Sequence, residues 1–165
     1  MEHERAVELA YKAVARRERT VAELRAVLER RRLEPEAIEH AVAELSASGF
    51  LDDARYAERF AEDKRELEHW GSDRIGRELA RRGVAPDLID EVLRGYEQDA
   101  ELETALLLLE RRFAVPPAED RERDRAWRML VRRGYAPELA YDALREHERR
   151  ARVEQAATES ARRAA

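Results

Sequence analysis

The same arrangement of apolar and polar positions occurs three times along the chain, over residues 23–45, 74–96 and 125–147. Successive copies are displaced by 51 positions, as the numbering of the equivalent residues shows. The equivalent positions are Leu24, Ile75 and Ala126; Leu28, Leu79 and Leu130; Leu33, Val84 and Tyr135; Pro35, Pro86 and Pro137; and Val42, Leu93 and Leu144. A sequence that resembles itself at a fixed period is typical of a repeat architecture.

Within each copy the apolar spacing is that of an amphipathic helix. In the first copy Ile38, Ala41, Val42 and Leu45 fall on one helical face, and Pro35 suits the first turn of that helix. A further amphipathic segment precedes each copy. We therefore predict three helices of about 10–15 residues per unit, with the second and third joined by a short turn.

These patterns predict an all-α fold of three tandem three-helix repeats, helix-turn-helix-like, that form an elongated, curved rod. We place the repeat units at residues 1–49, 50–98 and 99–148. Residues 149–165 form a polar C-terminal tail in which the apolar periodicity stops, either a solvated helical extension or a frayed end. A unit of this size buries little surface alone, so the units are expected to stack.

Composition supports a helical, charged protein. Charged residues reach 42% of the chain, against about 25% in an average soluble protein. The sequence has no Cys, six Gly and five Pro, so disulfides and thiolate metal sites are excluded. Its longest apolar run, Ala105–Leu109, is far below the roughly 20 residues that span a bilayer, and no apolar segment typical of a secretory signal follows the N-terminus. We expect a cytoplasmic protein without membrane contact.

Catalytic and cofactor motifs are not found in the sequence. The four histidines His3, His40, His69 and His147 are too far apart to form a metal-binding pair on one helix. No Gly-rich phosphate loop occurs, and no serine has a nearby base with an orienting third group. We therefore expect no enzyme activity, metal, cofactor or small-molecule substrate.

Arginines recur at one position of the repeat, at the predicted end of each second helix. Arg31, Arg82 and Arg133 represent these clusters. Cations there complement the helix dipole, which explains the clusters structurally. Alternatively, stacking of the units would align them as a basic ladder that binds carboxylates or phosphates. Trp70, at a helix break, is either an exposed anchor for a partner or packed between units.

Local hydrogen-bonding motifs mark several predicted helix starts. Thr20 and Glu23 form a capping-box pattern, in which each side chain accepts the other residue's amide. Asp52 and Ser72 are predicted N-caps of later helices.

Several phrases of the chain resemble the RecX family of bacterial recombination regulators. The similarity covers about residues 6–147 and is strongest in its middle part, where Arg65 and Arg74 lie. The phrases are Arg17-Glu-Arg-Thr20 with Glu23-Leu24; Gly49-Phe-Leu-Asp-Asp53 with Tyr56-Ala57, Phe60, Arg65, Gly71, Arg74-Ile75, Leu79 and Gly83; and Leu130-Val-Arg-Arg-Gly-Tyr135.

The resemblance implies a three-unit, helical, non-catalytic modulator of the RecA recombinase. Such proteins bind the RecA filament on single-stranded DNA and limit its assembly, ATP hydrolysis and strand exchange during DNA repair, recombination and the SOS response. We expect a monomer that contacts DNA through the filament, with Arg31, Arg82, Arg133, Arg65, Trp70 and Arg74 as partner-binding candidates.

The alternative is a helix-turn-helix regulator that binds DNA directly through the third helix of a unit. Two features oppose it. The net charge of the chain is −5, and Asp87, Asp90 and Glu91 on one such helix would repel phosphates. A protein partner is therefore the better expectation.

Overall fold

A computed structural model describes residues 2–96 and 98–164 of the chain. The described residues form nine α-helices and no strand. The helices are α1 (Glu2–Arg16), α2 (Val21–Glu29), α3 (Pro35–Ala47), α4 (Asp53–Glu68), α5 (Ser72–Arg81), α6 (Pro86–Arg94), α7 (Gln98–Arg112), α8 (Asp120–Arg133) and α9 (Pro137–Ala164).

The predicted all-α class and its three-helix periodicity are confirmed. Most equivalent apolar positions of the repeat are buried in each copy. Leu28, Leu79 and Leu130 have no exposed surface, whereas Leu93 is only partly buried. Pro35 and Pro86 are the first residues of α3 and α6, and α9 begins at the equivalent Pro137. A proline is tolerated there because the first amides of a helix have no intrahelical acceptor.

The turn between the second and third helix of each repeat uses a left-handed backbone residue. Arg32, Gly83 and Gly134 occupy equivalent positions and have φ of 58°, 80° and 95°. The next residue in each copy is buried: Leu33, Val84 and Tyr135. Two copies thus use glycine, for which this conformation is unstrained, whereas the first uses arginine.

The capping box at the start of α2 forms only in part. The amide of Glu23 donates to the Thr20 hydroxyl at 3.1 Å, as predicted. The Thr20 hydroxyl in turn donates to the carbonyl oxygen of Arg82 at 2.6 Å, and the Glu23 carboxylate pairs with Arg82 at 3.2 Å. Tertiary partners therefore take the place of the reciprocal bond that the local pattern predicts.

Two further predicted caps have different outcomes. Asp52 accepts the Arg55 amide at 3.0 Å and caps α4 as expected. Ser72 does not cap α5, because it is the first helical residue and its amide donates to the carboxylate of Glu101 at 2.7 Å. A carboxylate distant in sequence supplies this cap.

Two compact units divide the chain. Unit 1 comprises Met1–Asp63 and Gly76–Arg94, and unit 2 comprises Lys64–Ile75 and Gly95–Ala165. In unit 1, α1 packs on α2 and α3 around an aliphatic core that includes Leu24, Leu28 and Leu45. Helices α4 and α5 each contribute residues to both units.

In unit 2, α7 and α8 both pack on α9 around a second core that includes Leu106, Leu130 and Tyr135. Helix α9 has 28 residues and continues to Ala164, so the polar tail is a helical extension. Its residues 152–163 are exposed, in agreement with the loss of apolar periodicity. Within residues 2–96 and 98–164, no helix combines the length and apolarity that a membrane crossing requires.

Replacement of Leu79 by alanine tests the buried repeat positions. The side chain is fully buried, so Leu79→Ala should lower the free energy of unfolding by about 2–5 kcal/mol. Leu67 is the matched control, because it is 77% exposed and its replacement by alanine should change stability by less than about 0.5 kcal/mol. Urea unfolding followed by circular dichroism measures both, and equal effects would contradict this assignment.

The left-handed turn gives a second test. Arg32→Gly should raise the free energy of unfolding by about 0.5–1 kcal/mol, because relief of the left-handed strain exceeds the entropy that glycine adds to the unfolded chain. Gly83→Ala should lower it by at least about 2 kcal/mol, since a Cβ there would lie 2.3 Å from the Cβ of Ala22. A lower free energy of unfolding for Arg32→Gly would show that the contacts of the arginine side chain outweigh the relief of backbone strain.

Candidate partner-binding surfaces

Arg82, one of the three predicted ladder arginines, binds within unit 1. Its guanidinium lies 2.9 Å from Glu78 Oε1 and 3.2 Å from Glu23 Oε1, and donates to the Tyr56 hydroxyl at 2.9 Å. It also lies 5.1 Å from the ring centre of Phe60. Burial by itself would lower the pKa of Arg82, but Tyr56, Glu78 and Glu23 together raise it. This arginine stabilises the fold of unit 1.

Arg133 has an internal contact in unit 2. Its guanidinium donates to the carbonyl oxygen of Glu68 at 2.8 Å, and its own carbonyl oxygen accepts the amide of Gly71 at 2.9 Å. The first contact is to the last residue of α4, and the second is to the segment between α4 and α5. Arg133 thus helps to position the segment that carries Trp70.

The connection between α4 and α5 is held at several points. Gly134 accepts the Asp73 amide at 3.0 Å, and the Tyr135 hydroxyl donates to the carbonyl oxygen of His69 at 2.9 Å. Glu101 Oε2 accepts the Ser72 hydroxyl at 3.0 Å. Burial raises the pKa of the Tyr135 hydroxyl, so it remains a hydrogen-bond donor throughout the physiological range. A segment held in this way presents its side chains in a fixed arrangement.

Two cations lie close to the ring of Trp70 on unit 2, and we call Lys64, Trp70 and Arg74 the Trp70 cluster. The guanidinium carbon of Arg74 is 3.8 Å from the ring centre, and the Lys64 ammonium nitrogen is 4.9 Å from it. All three side chains are partly exposed. Cation–π contacts of this kind contribute roughly 0.5–2 kcal/mol and fix the orientation of the ring.

Arg65 packs its guanidinium against Tyr96, with 4.0 Å between the guanidinium carbon and the ring centre. Burial lowers the pKa of Arg65, while Tyr96 and Glu101 oppose that shift. The side chain is partly buried in unit 2. Its planar face is therefore used inside the fold.

Arg31 is exposed just after the end of α2. It lines a small cleft on unit 1 together with Lys12, Arg16 and Arg19. The six candidates therefore have different surroundings. Trp70 and Arg74 touch each other, and Arg31 belongs to a basic cleft. Internal contacts are made by Arg65, Arg82 and Arg133. The predicted ladder of Arg31, Arg82 and Arg133 stays a prediction.

Several residues of these surfaces are missed by sequence reasoning. Lys64 lies within a charged helix, and its position beside Trp70 depends on how the chain turns after α4. Glu101 caps a helix 29 residues earlier in the chain. Arg16 and Arg19 precede α2 and meet Arg31 only in the folded unit. The density of arginines around residue 17 is the local signal in the sequence that points to this cleft.

The histidines and acidic residues form no candidate metal site in the described part of the chain, where no group of three or more potential ligands converges. The one buried histidine, His147, has Nε2 at 2.9 Å from the carbonyl oxygen of Phe113. Its environment is therefore that of a structural residue.

The fold and these surfaces define an all-α protein of three-helix domains with basic and aromatic groups on its surface. Family models described as "RecX, second three-helix domain" and "RecX, third three-helix domain" match residues 52–93 and 94–144. The chain belongs to the RecX family.

Two relatives support this membership, and a solved structure supports the fold. The chain is 40% identical over 134 residues to "Regulatory protein RecX" of Trichlorobacter lovleyi, covering 79% of this chain and 87% of that protein. It is 37% identical over 140 residues to the protein of that name from Deinococcus radiodurans, covering 83% and 65%. The crystal structure of RecX from Lactobacillus salivarius has a TM-score of 0.81 at 16% identity, over 89% of this chain and 97% of that chain, and supports the fold.

Arg82 and Arg31 should differ in their effect on stability. Arg82→Gln removes charge-assisted hydrogen bonds to partly buried carboxylates, so the free energy of unfolding should fall by about 2 kcal/mol. Arg31→Gln, at an exposed position, should change it by less than about 0.5 kcal/mol. Urea unfolding of the two variants under identical salt conditions checks the difference; a stable Arg82 variant would indicate that this arginine is free to serve a partner.

Proposed function

We propose that this protein is a non-catalytic regulator of homologous recombination and DNA repair. It binds the RecA filament on single-stranded DNA and inhibits filament assembly, ATP hydrolysis and strand exchange. It acts in the cytoplasm as part of the SOS response. Membership of the RecX family, with 40% identity to a regulatory protein over most of both chains, carries this proposal.

The Trp70 cluster is the best-supported contact surface for the filament. Tryptophan and arginine are the residues most often found at the energetic centre of protein interfaces. The ring of Trp70 is already oriented by Arg74 and Lys64, and the underlying segment is held by Arg133 and Tyr135. A pre-ordered aromatic group loses little conformational entropy when it binds a partner.

Arg31, which is exposed on unit 1, is a separate candidate contact for the filament. Arg65 would contribute mainly through its packing on Tyr96. Arg82 and Arg133 would act on binding mainly through the fold, because their guanidinium groups have internal partners.

Selectivity for the assembled filament would come from linked contacts. Repeat units at residues 1–49, 50–98 and 99–148 could reach more than one subunit of a polymer. Two linked contacts gain from effective concentration, which a free subunit cannot provide. Binding as a monomer is sufficient for this mechanism.

The test measures ATP hydrolysis by the recombinase of the same organism on single-stranded DNA, with increasing amounts of this protein. We expect the rate to fall, and we expect tighter binding to the filament than to free RecA. A Trp70→Ala/Arg74→Gln variant should need at least about tenfold more protein for the same inhibition, because it loses an interface centre.

Arg77→Gln/Arg94→Gln is the control, since both arginines are exposed and lie outside the cluster. Circular dichroism and urea unfolding verify that each variant is folded. Unchanged ATP hydrolysis with no binding to the filament would refute the proposed function, and equal affinity for free RecA and filament would refute the linked contacts.

A further inference from the structure

A cleft on unit 1 brings together four cationic side chains that are separated in the sequence. Its volume is about 100 Å³, and apolar side chains of α1 and α2 complete its wall. The cations are Lys12, Arg16, Arg19 and Arg31. All of these residues belong to unit 1, so the cleft is complete within one compact body.

The fold holds this arrangement in place. Arg16 is the last residue of α1, and Arg31 follows the end of α2. Arg19, in the connection between the two helices, donates from Nε to the carbonyl oxygen of Ala13 at 3.1 Å. One guanidinium is thus fixed by the main chain, while its terminal nitrogens retain further donor capacity.

Lys12 pairs with Glu8 on its own helix, so the positive charge that lacks a neutralising carboxylate belongs to the arginines of the cleft. Burial lowers the pKa of Arg19, and repulsion from Arg17, Arg30 and Arg16 lowers it further against the attraction of Glu23. Glu23 already pairs with Arg17 and Arg82. Between residues 2–96 and 98–164, no carboxylate forms an ion pair with Arg16 or Arg31.

Helix dipoles account for only part of this cluster. Arg16 and Arg31 lie at helix C-termini, where a cation contributes about 0.3–1 kcal/mol. That effect would act equally well if the two side chains pointed apart. It does not explain why both line one cleft with Arg19, whose positive charge Arg16 repels. An anion in the cleft would relieve this repulsion.

The dimensions and donors of the cleft select the kind of anion. A cleft of about 100 Å³ has room for a tetrahedral oxyanion. A phosphate group offers several acceptor oxygens and up to about two negative charges to several guanidinium groups at once. A carboxylate is already satisfied by one bidentate arginine.

We propose that this cleft is a phosphate-binding site. Its ligand is a phosphate group, supplied either by a nucleic-acid backbone or by a free polyphosphate. If the DNA strand inside the RecA filament supplies the phosphate, the inference rests on the proposed function. Binding of pyrophosphate or of an isolated oligonucleotide does not depend on that function. The site lies between α1 and α2, so it differs from a recognition helix placed in a DNA groove.

Calorimetric titration of the full chain at low salt tests the proposal without any recombinase. The probes are inorganic pyrophosphate, a single-stranded oligonucleotide with a 5′ phosphate, and malonate as a dicarboxylate. Arg16→Gln/Arg31→Gln should weaken pyrophosphate or oligonucleotide binding at least about tenfold, since it removes two charge-assisted contacts.

Arg77→Gln/Arg94→Gln is the matched control, because it removes the same two charges from exposed positions of unit 1 outside the cleft. The affinity of this control variant for the phosphate probes should stay within about threefold of that of the unaltered protein, because the variant changes only the overall electrostatic field. Arg19→Lys, which keeps the charge but not the forked donors, is the second variant and should also weaken binding.

The outcomes of these titrations either support or overturn the phosphate-binding site. A loss confined to the cleft variants supports the site, and whether it affects the oligonucleotide, pyrophosphate or both identifies the source of the phosphate. Absence of binding of both phosphate probes, equal loss in the control, or malonate binding as tight as pyrophosphate overturns the proposal. Failure of this test leaves inhibition of the recombinase unaffected.

Discussion

The reversal of the chain between the second and third helices of each repeat is the constraint on which the remaining structure depends. One residue takes a left-handed conformation, the next is buried, and a proline two residues later occupies the first turn of the following helix. This sequence of conformations brings the two helices onto a shared core. In unit 2 it has a further consequence, because Gly134 and Tyr135 bind the segment between α4 and α5.

The same element of the repeat therefore has different uses in different copies. In the third copy the residue after the left-handed turn is Tyr135, whose hydroxyl reaches the carbonyl oxygen of His69. In the second copy it is Val84, which only fills the core. The carbonyl oxygen of Arg82, just before that turn, instead accepts the Thr20 hydroxyl. Repeats conserve a backbone path while side chains at equivalent positions acquire separate tasks.

Arginine chemistry in this protein depends on the available carboxylates. Arg82 is surrounded by Glu78 and Glu23 and becomes part of the fold. Arg19 has several arginine neighbours and few acids, so its positive charge stays available. Equivalent arginine clusters in the sequence therefore need not be equivalent in function. The local balance of charge distinguishes a structural cation from one that can bind a ligand.

The sequence by itself determined the helical class, the repeat, most of the buried positions and the proline-led third helices. These features depend on local propensity and on a period of about 3.6 residues, both of which can be read along the chain. The tertiary structure alone decided which arginines are neutralised, that Glu101 caps α5, and that Lys12, Arg16, Arg19 and Arg31 line one cleft. Such contacts join residues from separate helices, and no periodicity within one helix encodes the partner that packing brings to it.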